Sequence, residues 1–217
     1  MPTNRLPMLI LVMSLLYIFI VPPEPFIFKL FFKLIPMTMI ILYAVRQSPK
    51  KKSLTHWLII IGLFFSIIGD GTLHWFVVGL TAFLIGHLFY TVGFLTQWKF
   101  SMIRFGMILP IGVYGFYIGR ELLASLNSTG NEGLMIPVLL YIITISLMAW
   151  SAIMTGNKWA TLGSLLFVVS DSILAWNMFV APVNFSGELI MITYYSAQFL
   201  IAHSLWSIVK GSNRIVW

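Results

Sequence analysis

The chain of 217 residues contains no cysteine. Disulfide frameworks, thiolate metal sites and a cysteine nucleophile are therefore excluded. Charge is almost as scarce. Only 9% of residues are charged, where a soluble domain carries about 25%. No hydrophilic stretch is long enough to form a soluble domain beside the rest. There is no Gly-x-Ser-x-Gly, no phosphate loop and no dinucleotide fingerprint. Neither His-x-x-x-His nor Glu-x-x-His spacing occurs, so the sequence implies no metal and no other cofactor. What is present is apolar: 59% of residues are hydrophobic and the mean hydropathy is +0.96. Such a chain could not cover its own surface in water. Long apolar runs separated by short polar breaks are the mark of membrane helices. The expectation is one all-α transmembrane domain over residues 1–217.

A hydrocarbon core of about 30 Å needs about 20 helical residues, and the runs divide into about eight spans. They are placed near 6–21, 26–45, 55–75, 77–97, 103–120, 133–154, 159–179 and 187–209. The first run, Leu6 to Val21, has no small-x-small cleavage site and is followed by Pro22, Pro23 and Pro25. It reads as a retained span, not a signal peptide. Ser48-Pro49, the polar stretch Asn127 to Glu132, and Gly156-Asn157 punctuate later helix ends. Gly115 to Gly119 has the GxxxG spacing of a close helix contact.

The net charge of +7 raises nucleic acid as a partner, but the positions of the charges explain it better. With a cytoplasmic N-terminus, the cytoplasmic side receives Arg5, Arg46, Lys50, Lys51, Lys52, Lys99, Arg104, Lys158, Lys210 and Arg214. The far side receives Arg120 alone among the cations, with Glu24, Glu121, Glu132 and Glu188. That is the positive-inside rule, and it puts both termini in the cytoplasm. Nucleic-acid binding is set aside. Trp57, Trp75, Trp98 and Trp159 fall near span ends, where amphipathic rings anchor.

Four charges remain inside spans: Lys29, Lys33, Asp70 and Asp171. Each costs roughly 3 kcal/mol to insert at mid-helix, so such residues pair inside the bundle or do chemistry. At about 1.5 Å per residue, Lys33, Asp70 and Asp171 lie roughly 10, 8 and 12 Å from the far face. Lys29 is shallower, one turn from Lys33 on the same helix face. Three helices thus bring two carboxylates and two ammonium groups to one layer. His87, Tyr194, Tyr195 and Gln198 are at similar depth, and His74 is i+4 from Asp70.

The two aspartates have related surroundings. Gly69-Asp70-Gly71-Thr72-Leu73-His74-Trp75 and Ser170-Asp171-Ser172-Ile173-Leu174-Ala175-Trp176 both read small-Asp-small-x-Leu-x-Trp. They sit four spans apart on helices running the same way, which suggests a parallel four-plus-four repeat.

Two carboxylates sharing a site can divide acid and base roles. One aspartate would donate a proton while the other, held ionised by Lys33, activates water. This suits hydrolysis of an acid-labile bond through an oxocarbenium-like state, the logic of glycosidases. Three other readings stay open. The charges could form a purely structural ion triad, belong to the proton relay of a transporter or channel, or join His74 and His87 at a metal.

Several segments resemble the YhhN-like lysoplasmalogenase family. They are Phe65-Ser66-Ile67-Ile68-Gly69-Asp70, Gly79-Leu80-Thr81-Ala82-Phe83-Leu84-Ile85-Gly86-His87-Leu88-Phe89-Tyr90, Gly163 to Ser172, and Tyr194-Tyr195-Ser196-Ala197-Gln198-Phe199-Leu200-Ile201-Ala202. Lys33-Leu34-Ile35-Pro36 is similar to the family's Lys-Pro-rich second span, though lysine does not directly precede proline here. The resemblance implies an eight-span membrane hydrolase that cleaves the vinyl-ether bond of lysoplasmalogens, releasing a fatty aldehyde. It implies a membrane lipid as substrate and water as co-substrate. It places the family's catalytic aspartates on Asp70 and Asp171 and its lysine on Lys33. Lys29, His74, His87, Tyr194, Tyr195 and Gln198 are the expected substrate-binding set, with Gln198 and a tyrosine orienting water.

Overall fold

A computed structural model describes residues 5–209. Lys210 and Arg214, assigned above to the cytoplasmic side, lie outside the described residues. The described residues form helices and no strand. In order they are α1 (Arg5–Phe19), α2 (Phe26–Gln47), α3 (Leu54–Thr72), α4 (Phe76–Leu95), α5 (Met102–Gly106), α6 (Ile108–Ser128), α7 (Met135–Thr155), α8 (Lys158–Phe179) and α9 (Ser186–Ser204). A single 3-10 turn, Glu132–Leu134, leads into α7. Six segments are long and apolar enough to cross a membrane: α2, α3, α4, α5 with α6, α7 with its 3-10 turn, and α8. The other two long helices complete the bundle. α1 has 15 residues, and α9 has 19 but carries Glu188, Gln198 and His203.

Two helix ends differ from the expectation. The fifth span, placed at 103–120, runs as α5 and α6 through Ser128. The apolar stripe continues past the charges: Leu122 and Leu126 bury against Val138 of α7. Arg120 and Glu121 therefore sit on the helix, paired at 3.3 Å on its exposed side. At the other end, α3 stops at Thr72 and not at Trp75. The backbone turns through residues 73–75, with the Trp75 amide bonded to the Thr72 carbonyl at 2.9 Å.

The packing repeats itself. The two most extensive helix pairs are α3 with α4 and α8 with α9. α1 lies outside α2 as α6 lies outside α7, and α2 packs on α9 as α7 packs on α4. Two sets of four parallel-ordered helices thus embrace, each lending its second helix to the other's fourth. Glycines permit the tight pairs. A Cβ on Gly62 would stand 2.5 Å from the Tyr90 ring and 3.0 Å from the Gly86 carbonyl oxygen of α4. A Cβ on Gly163 would stand 2.9 Å from the Ala197 carbonyl oxygen of α9. Each glycine lies about two turns before its aspartate, Asp70 or Asp171, so both carboxyls are set at the same level of equivalent helices.

The core runs along the bundle axis through Met37, Ile40, Ile59, Leu63, Tyr90, Phe94, Phe167 and Ile201. The outside is apolar as well. Ile27, Ile103, Phe116 and Ile136 are among many large side chains facing outward. Contiguous exposure of this kind belongs in lipid. The protein is an integral membrane protein.

Candidate functional site

Asp70 is buried near the end of α3, and both of its carboxyl oxygens are taken. Lys33 Nζ lies 3.1 Å from Oδ1 and 3.4 Å from the Asp70 backbone oxygen. The Tyr194 hydroxyl donates to Oδ2 at 2.6 Å. Pro36 interrupts the hydrogen-bond ladder of α2 just past Lys33. The Tyr195 hydroxyl donates to the Lys33 carbonyl at 2.8 Å, and Tyr17 packs edge-on against Tyr195 at 6.0 Å. α2, α3 and α9 therefore close around a fully satisfied ion pair. A charge-assisted cluster of this kind is stable in a low-dielectric interior only when every partner is present.

Asp171 holds the equivalent place on α8, in different surroundings. Its Oδ2 accepts a short hydrogen bond from the Tyr141 hydroxyl of α7. Among the described residues no cation pairs with it. It is half-buried and forms part of the wall of a narrow cavity of about 70 Å³. The cavity lies between α4 and α6, which do not touch, and is backed by α7 and α8. Leu80, Phe83, Ile118, Leu122, Ile145 and Phe179 make it overwhelmingly apolar. Tyr114, Tyr141, Ser146, Asp171 and Ser172 are its polar side chains. Phe76 and Phe179 meet edge to face at 5.4 Å and close one end.

An aromatic partition separates the two carboxyls. Phe83, Phe167 and Tyr194 pack edge to face, with ring centres 6.4, 6.0 and 5.4 Å apart. Phe83 lines the cavity on one side and touches Tyr194, the partner of Asp70, on the other.

The other expected residues divide. Tyr194 and Tyr195 belong to the Asp70 cluster. His87 and Gln198 lie buried at the centre, and Gln198 Oε1 accepts from the Tyr90 hydroxyl at 2.7 Å. Lys29 is half-buried on α2 and joins no ion pair among the described residues. His74 does not stand one turn above Asp70, because the helix has already ended. It is exposed in the turn, its ring 4.1 Å from Trp75 and 5.4 Å from Phe26. Tyr141 and Phe83 were not among the expected residues. Tyr141 lies six residues into α7, at a depth close to that of Asp171, so comparing hydroxyl depths as well as charges points to it. Among the described residues no three His, Asp or Glu side chains gather as metal ligands.

Comparison with curated proteins gives no match, and comparison with solved structures gives none. One family profile matches residues 28–205, from the start of the Lys33 helix to the end of α9. With that span covering both aspartates and most of the sequence, the chain belongs to the YhhN family.

Proposed function

We propose that this protein is an integral-membrane hydrolase that cleaves the vinyl-ether bond of a lysoplasmalogen or a closely related single-chain lipid. Family membership supports the reaction class. The observation that carries the reading is Asp171, a carboxyl in the wall of an apolar cavity between α4 and α6. Its apolar lining suits an aliphatic chain, and the gap between α4 and α6, which share no backbone contact, is the path proposed for entry from the bilayer.

The chemistry follows from one protonatable group beside an apolar chain. The Asp171 carboxylic acid gives its proton to the outer carbon of the vinyl ether, leaving an oxocarbenium ion at the inner carbon. Water adds there and returns a proton to the Asp171 carboxylate. The hemiacetal then breaks its second C–O bond to give the fatty aldehyde and the free glycerol hydroxyl. One water is consumed, and the acid is restored. Tyr141 holds the carboxyl in place and supplies a hydrogen bond to whichever charge state it bears. Asp70 acts from behind the partition. Its pairing with Lys33 fixes a charge distribution near Asp171 without touching substrate. Basic loops in the cytoplasm put the cavity in the far half of the membrane.

The test is product analysis with purified protein and three lysolipids that share a headgroup: 1-alkenyl, 1-alkyl and 1-acyl. The expected result is aldehyde from the alkenyl lipid alone, because only that bond accepts a proton on carbon. Release of fatty acid from the acyl lipid, with no aldehyde, would replace vinyl-ether hydrolysis by ester hydrolysis.

A further inference from the structure

Three buried polar atoms make no hydrogen bond of ordinary geometry among the described residues: both ring nitrogens of His87 and Nε2 of Gln198. His87 is 1% exposed and Gln198 is 0% exposed. Their near neighbours, the Phe83 carbonyl one turn back from His87 and the Tyr194 hydroxyl beside Gln198, do not meet hydrogen-bond geometry. Orphaned polar atoms in a protein interior are rare, and each costs about 1–3 kcal/mol. His87 and Gln198 both meet Tyr90, one by ring contact and the other by a hydrogen bond, and their spare polar atoms together point to a ligand.

The surroundings identify its kind. α4 and α9 face each other across the bundle centre, through Phe83 with Tyr194 and Tyr90 with Gln198. His87 sits between these two levels on α4. Its ring lies 6.3 Å from that of Tyr90, 5.3 Å from that of Tyr141 and 4.6 Å from that of Phe167. Ser66 is also there, buried against α4. The group offers a donor from Gln198, lone pairs on the Tyr90 oxygen, and one donor and one acceptor from neutral imidazole. No net charge is available for an ion, and the space is enclosed by large rings. Water, which makes about three hydrogen bonds when buried, matches this set of donors and acceptors.

We infer that His87, Gln198 and Tyr90 hold water at the centre of the bundle, and that this water feeds the hydrolysis at Asp171. The second part rests on the hydrolase reading above. The cavity beside Asp171 is apolar, so the water that the reaction consumes is drawn from the polar centre behind Tyr141. His87 stands next to Tyr141, the direct partner of Asp171. The polar centre therefore borders the reacting carboxyl. His87 and Gln198 are positioning residues and do not touch the lipid.

Radiolytic footprinting of the purified full-length protein tests the site without using activity. Brief X-ray exposure makes hydroxyl radicals from water, and a buried side chain is oxidised only where water resides. Met37, Met148 and Met154 are equally buried and serve as dry controls. The expected result is oxidation of His87 and Tyr90 faster than of Met37 and Met148. Labelling of Tyr90 should be lost in His87→Leu and kept in His87→Gln, which retains polar atoms. Oxidation of His87 and Tyr90 no faster than the controls would overturn the site. Turnover of the alkenyl lysolipid tests the supply role. His87→Leu should lower kcat by about tenfold or more with KM unchanged, and His87→Gln should restore part of it. A labelled centre with kcat unchanged in His87→Leu would overturn the supply role. If the wild type releases no aldehyde, the footprint still decides whether water is held.

Discussion

Removing Lys33 leaves the Asp70 carboxylate buried beside a single hydroxyl, with no cation in reach. Breaking one side of such a pair costs about 3–5 kcal/mol, whereas replacing both sides by groups of similar volume is often tolerated. Lys33→Met is therefore expected to lower thermal stability in detergent markedly, and Lys33→Met with Asp70→Asn to recover much of the loss. A double variant as unstable as the single one would mean that the pair does more than neutralise itself. Asp171 differs because it has no cation and faces a cavity. Asp171→Asn should leave the melting temperature nearly unchanged. Tyr141→Phe removes one hydrogen bond to the reacting carboxyl, and kcat should fall by about tenfold, equivalent to about 1.4 kcal/mol. An unchanged kcat would show that Tyr141 only packs. At this scale the sequence was informative where a residue was expensive. A carboxylate or ammonium in an apolar run stands out, so Asp70, Asp171 and Lys33 were visible at once. Tyr141 was not, because a tyrosine in a membrane helix costs little and looks like any other aromatic. His74 departs from the i+4 position above Asp70 because α3 ends two residues before it.

Helix pairs set the level of both carboxyls, and the pairs depend on missing side chains. Gly163→Ala would press a methyl group against the Ala197 carbonyl and the Ile201 backbone nitrogen, 2.9 and 3.0 Å away. Backbone cannot rotate aside, so α8 and α9 must separate, at a cost of about 1–3 kcal/mol. Gly112→Ala meets nothing within 4 Å and should be neutral in the same thermal assay. Equal stability of the two variants would contradict the close packing of α8 on α9. Helix number and order were readable from apolar runs and their polar breaks. The small-Asp-small-x-Leu-x-Trp echo also pointed to the repeat that the packing displays. Helix ends were less legible. α6 continues through Arg120 and Glu121 because Leu122 and Leu126 still have a partner in α7, and that partner is a tertiary fact.

Viewed as a whole, the molecule is a helical bundle that sets its two intramembrane aspartates in unlike surroundings. Beside Asp70, Lys33, Tyr194, Tyr195 and Tyr17 fill the space; beside Asp171 that space is a cavity. Which space stays open depends on how α4 and α6 stand apart, and no periodicity in the sequence encodes it. Orientation is open to a direct test because the chain has no cysteine. Single substitutions Lys51→Cys and Gly130→Cys put one thiol at each end of the bundle. In intact cells a membrane-impermeant maleimide should label Gly130→Cys and spare Lys51→Cys. The reverse pattern would turn the protein over and place the cavity in the cytoplasmic half.

The central claim is that Asp171 is the group that reacts with a lipid in the cavity. The most direct measurement is aldehyde release from a 1-alkenyl lysolipid by wild type and Asp171→Asn, compared at equal amounts of folded protein. Release by the wild type, reduced by about a thousandfold in the variant, is the predicted result. Undiminished release by Asp171→Asn would contradict the claim and move the chemistry away from the cavity.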